Sequence, residues 1–267
     1  MHIIDYSNLS IRTDLVLDSE IESKEIFNKD GVTLKRTIKD KNKYSSISFI
    51  DVTDKDQAKI VEKLLIKELK EYIDNNNSKI LVIGLGNRNS TPDALGPKSL
   101  DQILVTRHLF NLGDVDQGYS NVSIFEPSVY GTTGIDSVEL IKEVVKLVHP
   151  NYVIIIDSLC TSSLSRMNKT IQITDAGINP GSGVLNDRGE LSSRVLGCNT
   201  IALGVPTVVD IYAIVIDILK KYDIHEIDDY ENLIVTPKEI DYVINRLSIL
   251  IGNSLNKAFH ESFVSTK

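Results

Sequence analysis

The sequence predicts an α/β protein in which a mostly parallel sheet is flanked by helices. Three observations carry this reading. Residues 80–83 and 151–157 (NYVIIID) are continuous apolar, β-branched runs, as expected of strands covered on both faces. Each run ends in a polar loop or turn carrying a carboxylate, Asp93 after the first and Asp157 at the end of the second. Helical patterns alternate with these runs, which is the order of parallel strands joined by right-handed crossovers.

Taken in order, residues 1–50 read as irregular until a strand over 43–52 (KYSSISFIDV). Thr53 is expected to cap a helix reaching about residue 75, with Ile60, Leu64, Leu65, Leu69 and Ile73 on one face. Asn75-Asn76-Asn77 ends it. After the strand at 80–83, Gly84 and Gly86 permit a sharp turn. Pro97 opens a helix over 97–111, with Leu100, Ile103, Leu104 and Leu109 at helical spacing. A strand near 122–125 leads to a second loop, 126–134 (EPSVYGTTG). Asp136, with Glu139 three residues on, forms a capping-box pattern for a helix over 138–148, and Pro150 stops it.

Beyond 157 the pattern shifts. TIQIT at 170–174 is a short strand, and DAGINPGSG at 175–183 is dense in turn residues. A strand over 199–203 passes through Gly204-Val205-Pro206 into a helix over 208–221, followed by an acidic linker at 223–231. Thr236-Pro237-Lys238-Glu239 combines an N-cap, a proline in the first turn and a glutamate three after the cap, opening a last helix to about 259.

Composition narrows the function. At 267 residues the chain can bury a full core as one large or two small domains. A net charge of −8 argues against nucleic acid as a direct partner. No run of about 18 apolar residues is present to span a membrane, and the amino-terminal residues lack the pattern of a secretory signal. Cys160 and Cys198 form no CxxC motif, so reduced thiols in a cytoplasmic setting are expected. The five histidines show no HExxH or paired spacing, so no zinc site and no cofactor are expected. There is no GxSxG elbow. Gly84-Leu85-Gly86 is not a dinucleotide fingerprint, because position 89 is Asn where a third glycine is needed.

Asp93 and Asp157 are the candidate catalytic pair. Either alone is readily a turn former or a helix cap. Two carboxylates carried to one sheet edge by adjacent parallel strands are a different matter, since ligands of open α/β sheets bind at that edge. Close carboxylates cannot both ionise freely. One retains a proton while the other can take one from water, which is what hydrolysis of a peptide by an activated water requires.

These residues also lie in segments with a family likeness. GLGN–TPDALGP followed by LVTRHLF, then GTTGI, IIIDSL, TIQITDAGINPGSGV, LGVPTVVD and VTPKEID resemble, in that order, the germination proteases of spore-forming Firmicutes, and IRTDL near the start is similar as well. The resemblance implies a fold like that of the endopeptidases that mature nickel–iron hydrogenases (phosphorylase/hydrolase-like). It implies an atypical aspartic-type endopeptidase of the spore core that degrades small acid-soluble spore proteins on germination. The essential aspartates of the family fall on Asp93 and Asp157. It further implies a homotetramer and a self-processing zymogen that cuts after an acidic and before a hydrophobic residue. Here that bond is Asp14–Leu15, giving a propeptide of residues 1–14 and a single protease domain of residues 15–267; Val16 stands where alanine is usual. Asn87, Asn89 and Thr91 are expected to orient groups at the site. Lys98, Arg107 or Arg166 is expected to read the acidic residue of the substrate. Two other readings are open: a metal-dependent maturation-type endopeptidase with an ion between the carboxylates, and an inactive spore protein that binds peptide.

Overall fold

A computed structural model describes residues 2–3, 13–18, 21–73, 78–180, 189–222, 226–227 and 233–263. The expected propeptide therefore lies mostly outside the described residues, as do Asn75-Asn76-Asn77, residues 181–183 of the turn-rich stretch and most of the acidic linker.

The elements are β1 (His2–Ile3), β2 (Lys24–Lys29), β3 (Val32–Lys39), β4 (Asn42–Ser48), α1 (Lys55–Tyr72), β5 (Lys79–Gly84), α2 (Leu95–Leu100), α3 (Arg107–Leu112), β6 (Asn121–Phe125), α4 (Tyr130–Thr133), α5 (Ser137–Val148), β7 (Tyr152–Thr161), β8 (Thr170–Thr174), α6 (Ser193–Leu196), β9 (Asn199–Asp210), α7 (Ile211–Lys221), β10 (Glu226–Ile227), β11 (Ile234–Val235) and α8 (Ile240–Phe259). Among the described residues one nine-stranded sheet has the order β2-β3-β4-β8-β9-β7-β5-β6, with β11 also paired to β9. The class is α/β as expected, but the sheet is mixed. β6, β5, β7 and β9 run parallel to one another. The pairs β2–β3, β3–β4, β4–β8, β8–β9 and β9–β11 are antiparallel.

The antiparallel half arises where the sequence was expected to be irregular. β2, β3 and β4 form a meander whose turns are Asp30-Gly31 and Asp40-Lys41, all four residues with positive φ. Two-residue turns of this kind match the twist of the strands they join. Asp54, not Thr53, caps α1, its carboxylate accepting the main-chain N–H groups of Asp56 and Gln57. The single helix expected over 97–111 is two short ones, α2 and α3. Asp136 caps α5 as expected. α8 begins at Ile240, after the Thr236-Pro237 pair, and Thr236 instead donates its hydroxyl to the Thr207 carbonyl. β9 runs straight through Pro206. The register with β7 shifts there, Leu159 facing Pro206 and Cys160 facing Val208, so the proline sits beside a bulge where a missing N–H costs least.

Helices cover both faces. α1, α2 and α8 pack Leu65, Leu69, Leu95, Ile244, Leu247 and Ile251 onto the face showing Ile80, Val82, Ile154 and Ile156. On the other face α5 packs Val138, Ile141 and Val145 against Leu81, Ile83, Val153 and Ile155. No described helix is long and apolar enough to cross a membrane.

Candidate active site

Asp157 lies on β7, one residue past the last that pairs with β5, and is buried. Asp93 closes a short 3-10 turn (Thr91–Asp93) in the loop leaving β5. The loop is drawn tightly onto the strand ends. Leu85 donates its N–H to the Ile156 carbonyl at 2.9 Å, splicing the chain after β5 to the residue before Asp157. A β-carbon at Gly96 would lie 2.3 Å from the Leu85 oxygen and 2.6 Å from the Ile156 oxygen, so only glycine lets α2 press against both strand ends. The Asn87 N–H is shared by the Asp93 carbonyl at 3.1 Å and Asp93 Oδ2 at 2.8 Å. Arg88 pins the loop from outside, bonding Asp101, Glu126 and the Pro97 carbonyl.

The two carboxylates differ electrostatically. Burial pushes the Asp93 carboxyl up to about 6, partly offset by the Asn87 N–H. Burial, the charge of Asp93 and, more weakly, the charge of Asp14 hold Asp157 well above the usual carboxylate range, against one favourable bond from the Ser158 N–H. The pair thus loses its first proton from Asp93 and keeps the second on Asp157.

Asp157 shares its sheet face with a groove. Asp157, Gly204 and Gln172 fall in one row across β7, β9 and β8, so these positions share a face, with Asp157 and Gln172 two strand spacings, roughly 10 Å, apart. Over this part of the face lies a cavity of about 450 Å³ floored by Leu159, Gly204, Ala202 and Gln172 and bordered by Tyr44 and Asp14. Thr13 and Asp14 of the chain itself line it. The Asp14 N–H bonds the Cys160 carbonyl at 3.0 Å, and the Cys160 N–H bonds Asp14 Oδ2 at 2.8 Å. Leu15 is only 2% exposed. Further on, the fully buried Asp18 carboxylate is paired with Arg166 and accepts bonds from Thr13, Thr161 and Ser162.

The remaining expected residues have separate places. Asn87 acts through its main chain, while its side chain accepts the Asn89 N–H and shapes the turn. Asn89 is exposed, and Thr91 begins the 3-10 turn. Lys98 is half-buried on α2. Arg107 donates to the Val148 carbonyl at the end of α5, a packing role away from the pair. Arg166 holds an acid of its own chain, Asp18, rather than Asp14. Among the described residues no group of three or more His, Cys, Asp or Glu side chains is arranged to hold a metal. Sequence reasoning missed the Cys160 main chain and Gln172, both placed here by long-range sheet register.

Fold and site together define an α/β protein with two coupled, unequally protonated carboxylates at the carboxyl edge of its parallel strands, beside a peptide-sized groove. The chain belongs to the germination protease family, whose model matches residues 6–226. It is 39% identical over 249 residues to the germination protease of Priestia megaterium, covering 80% of this chain and 67% of that one. With the Bacillus subtilis germination protease it shares 36% over 274 residues, covering 78% and 74%. With that of Bacillus licheniformis it shares 32% over 353 aligned positions, covering 97% and 96%. These relatives make the chain a spore protease.

Proposed function

We propose that this protease is an aspartic-type endopeptidase of the spore core that degrades small acid-soluble spore proteins during germination, cutting after an acidic and before a hydrophobic residue. The observation that carries the chemistry is the unequal pair. Asp93, ionised above about pH 6, takes a proton from a water held between the carboxylates, and the water attacks the scissile carbonyl. Asp157, still protonated, donates to the nitrogen as the amide breaks. Water and peptide yield one carboxylate and one amine, and the pair ends with its proton moved from Asp157 to Asp93.

The docked segment supports self-processing at Asp14–Leu15. An acidic residue lines the groove, a buried leucine follows it, and the acid's charge is felt by Asp157. On this reading residues 1–14 are a propeptide, the chain is a zymogen before the cut, and the mature enzyme is a homotetramer without bound metal.

The test is intact-mass analysis of a small acid-soluble spore protein incubated with the protein in excess chelator, beside Asp157→Asn. Cuts after acidic residues that survive chelator and vanish in the variant are expected. Cuts that chelator abolishes would favour the ion-dependent reading, and peptide binding without cleavage the inactive binder.

A further inference from the structure

Gln172 takes no part in the chemistry above, yet its carboxamide is placed unusually for a buried residue in mid-sheet. It lies on β8, hydrogen-bond neighbour of Gly204, and is 6% exposed. Both ends of the amide are spent on the main chain of one short segment. Nε2 donates to the Asp14 carbonyl at 3.0 Å, and Oε1 accepts the Val16 N–H at 2.7 Å. A carboxamide has one donor edge and one acceptor edge, as a peptide group does, so it can stand in for a neighbouring strand. Here it brackets a single residue, Leu15, on both sides.

We propose that Gln172 is the positioning residue that sets the register of a peptide in the groove, by clamping the carbonyl of the acidic residue and the N–H two residues beyond it. This rests on the reading of the groove as a peptide site. The Cys160 main chain fixes the acid itself, its carbonyl accepting the Asp14 N–H and its N–H donating to Asp14 Oδ2. That alone would leave the chain beyond it free to swing. With Gln172 added, the hydrophobic residue is pinned between two bonds, and the bond that precedes it is the one held in place. The Gln172 bonds touch only the main chain of the peptide, and the one side chain the grip uses is the acid's own carboxylate, so it applies equally to a substrate from another chain that carries an acid there. Gly204 stands in the row between Gln172 and Asp157. A β-carbon there would lie 2.5 Å from Leu159 Cγ, so glycine keeps Leu159 low in the groove floor.

The experiment is amide hydrogen exchange on the full chain carrying Asp157→Asn, so that no cutting intervenes, with and without Gln172→Leu. The Val16 amide is expected to exchange at least about tenfold faster once Gln172 is replaced, while the flanking Ile171 and Ile173 amides keep their rates. Unchanged protection at Val16 overturns the proposal, and so does a uniform rise along β8, which would mean that Gln172 only supports the sheet. In parallel, intact mass follows self-processing of the otherwise native chain with Gln172→Leu. The cut is expected to slow at least about tenfold or to leave the Asp14–Leu15 bond. An undiminished cut at that bond overturns the positioning role. If the native chain never cuts itself, the exchange still decides the clamp, and it is the self-processing reading that fails.

Discussion

Gly86 lies so close beneath Asp93 that a β-carbon on it would sit 2.0 Å from the Asp93 carbonyl oxygen and 2.9 Å from Oδ1. Its φ of +111° is equally closed to other residues. The loop can fold back onto the end of β5, and bring Asp93 towards Asp157, only with hydrogen at this position. Gly86→Ala is expected to displace Asp93 and cut proteolysis by at least about tenfold while the sheet still forms, at a cost of about 1–3 kcal/mol. Turnover measured beside a circular-dichroism melt checks this; full activity would mean that the loop has another way to deliver Asp93.

The candidate pair was legible in the sequence because its signal is local: each aspartate follows a buried strand, and parallel order then brings them to one edge. The amino-terminal meander was not read from the sequence: the flanking strands mix charged and apolar residues and mask their alternation, and the Asp30-Gly31 turn alone did not reveal it. Gln172 and the Cys160 main chain could not have been found this way. Their partners lie 158 and 146 residues away in sequence, and only the register of β8 on β9 and β9 on β7 sets them beside Asp157. The mixed sheet escaped for the same reason, since pairing direction across β4, β8 and β9 is decided by contacts far apart in the chain. Pro206 signalled the end of a strand, and the bulge opposite Leu159 lets the strand continue.

Replacing either member of the pair separates chemistry from stability. Asp157→Asn and Asp93→Asn are each expected to lower turnover by about 10²–10⁴-fold. Both acids have raised affinities for protons in the fold, so the stability they allow is fully present below about pH 4 and is lost as pH rises through about 6 for Asp93, and higher for Asp157. Asn removes that penalty. Denaturant melts at pH 8 should find Asp93→Asn more stable by roughly 2 kcal/mol, with the gap closing near pH 4. A variant less stable than the native chain at pH 8 would show that the ionised carboxylate is held by more than burial allows.

The pH profile of turnover follows from the same asymmetry. Activity is expected to rise as Asp93 ionises near pH 6 and to fall as Asp157 gives up its proton at higher pH. Because the Asp14 charge helps to keep Asp157 protonated, removing it moves the alkaline limb down. Followed by carboxyl-carbon NMR, Asp157 should therefore titrate at lower pH in the chain lacking residues 1–14 than in the uncut chain. Identical titrations would mean that Asp14 is too well screened to act on the pair.

Arg166 and Asp18 anchor the far end of the docked segment. The Asp18 side chain is fully buried and Arg166 about one-third exposed, so the pair is largely removed from water. Deleting the cation alone leaves a buried carboxylate with only neutral donors, from Thr13, Thr161 and Ser162. Arg166→Met is expected to destabilise the fold by about 3 kcal/mol at pH 7. Arg166→Met combined with Asp18→Asn should recover most of the loss, since no buried charge is then unpaired. Melts of the three chains across pH 5–8 decide the matter. If Arg166→Met alone costs nothing, the ion pair does not anchor the segment, and its hold on the groove falls to Cys160 and Gln172.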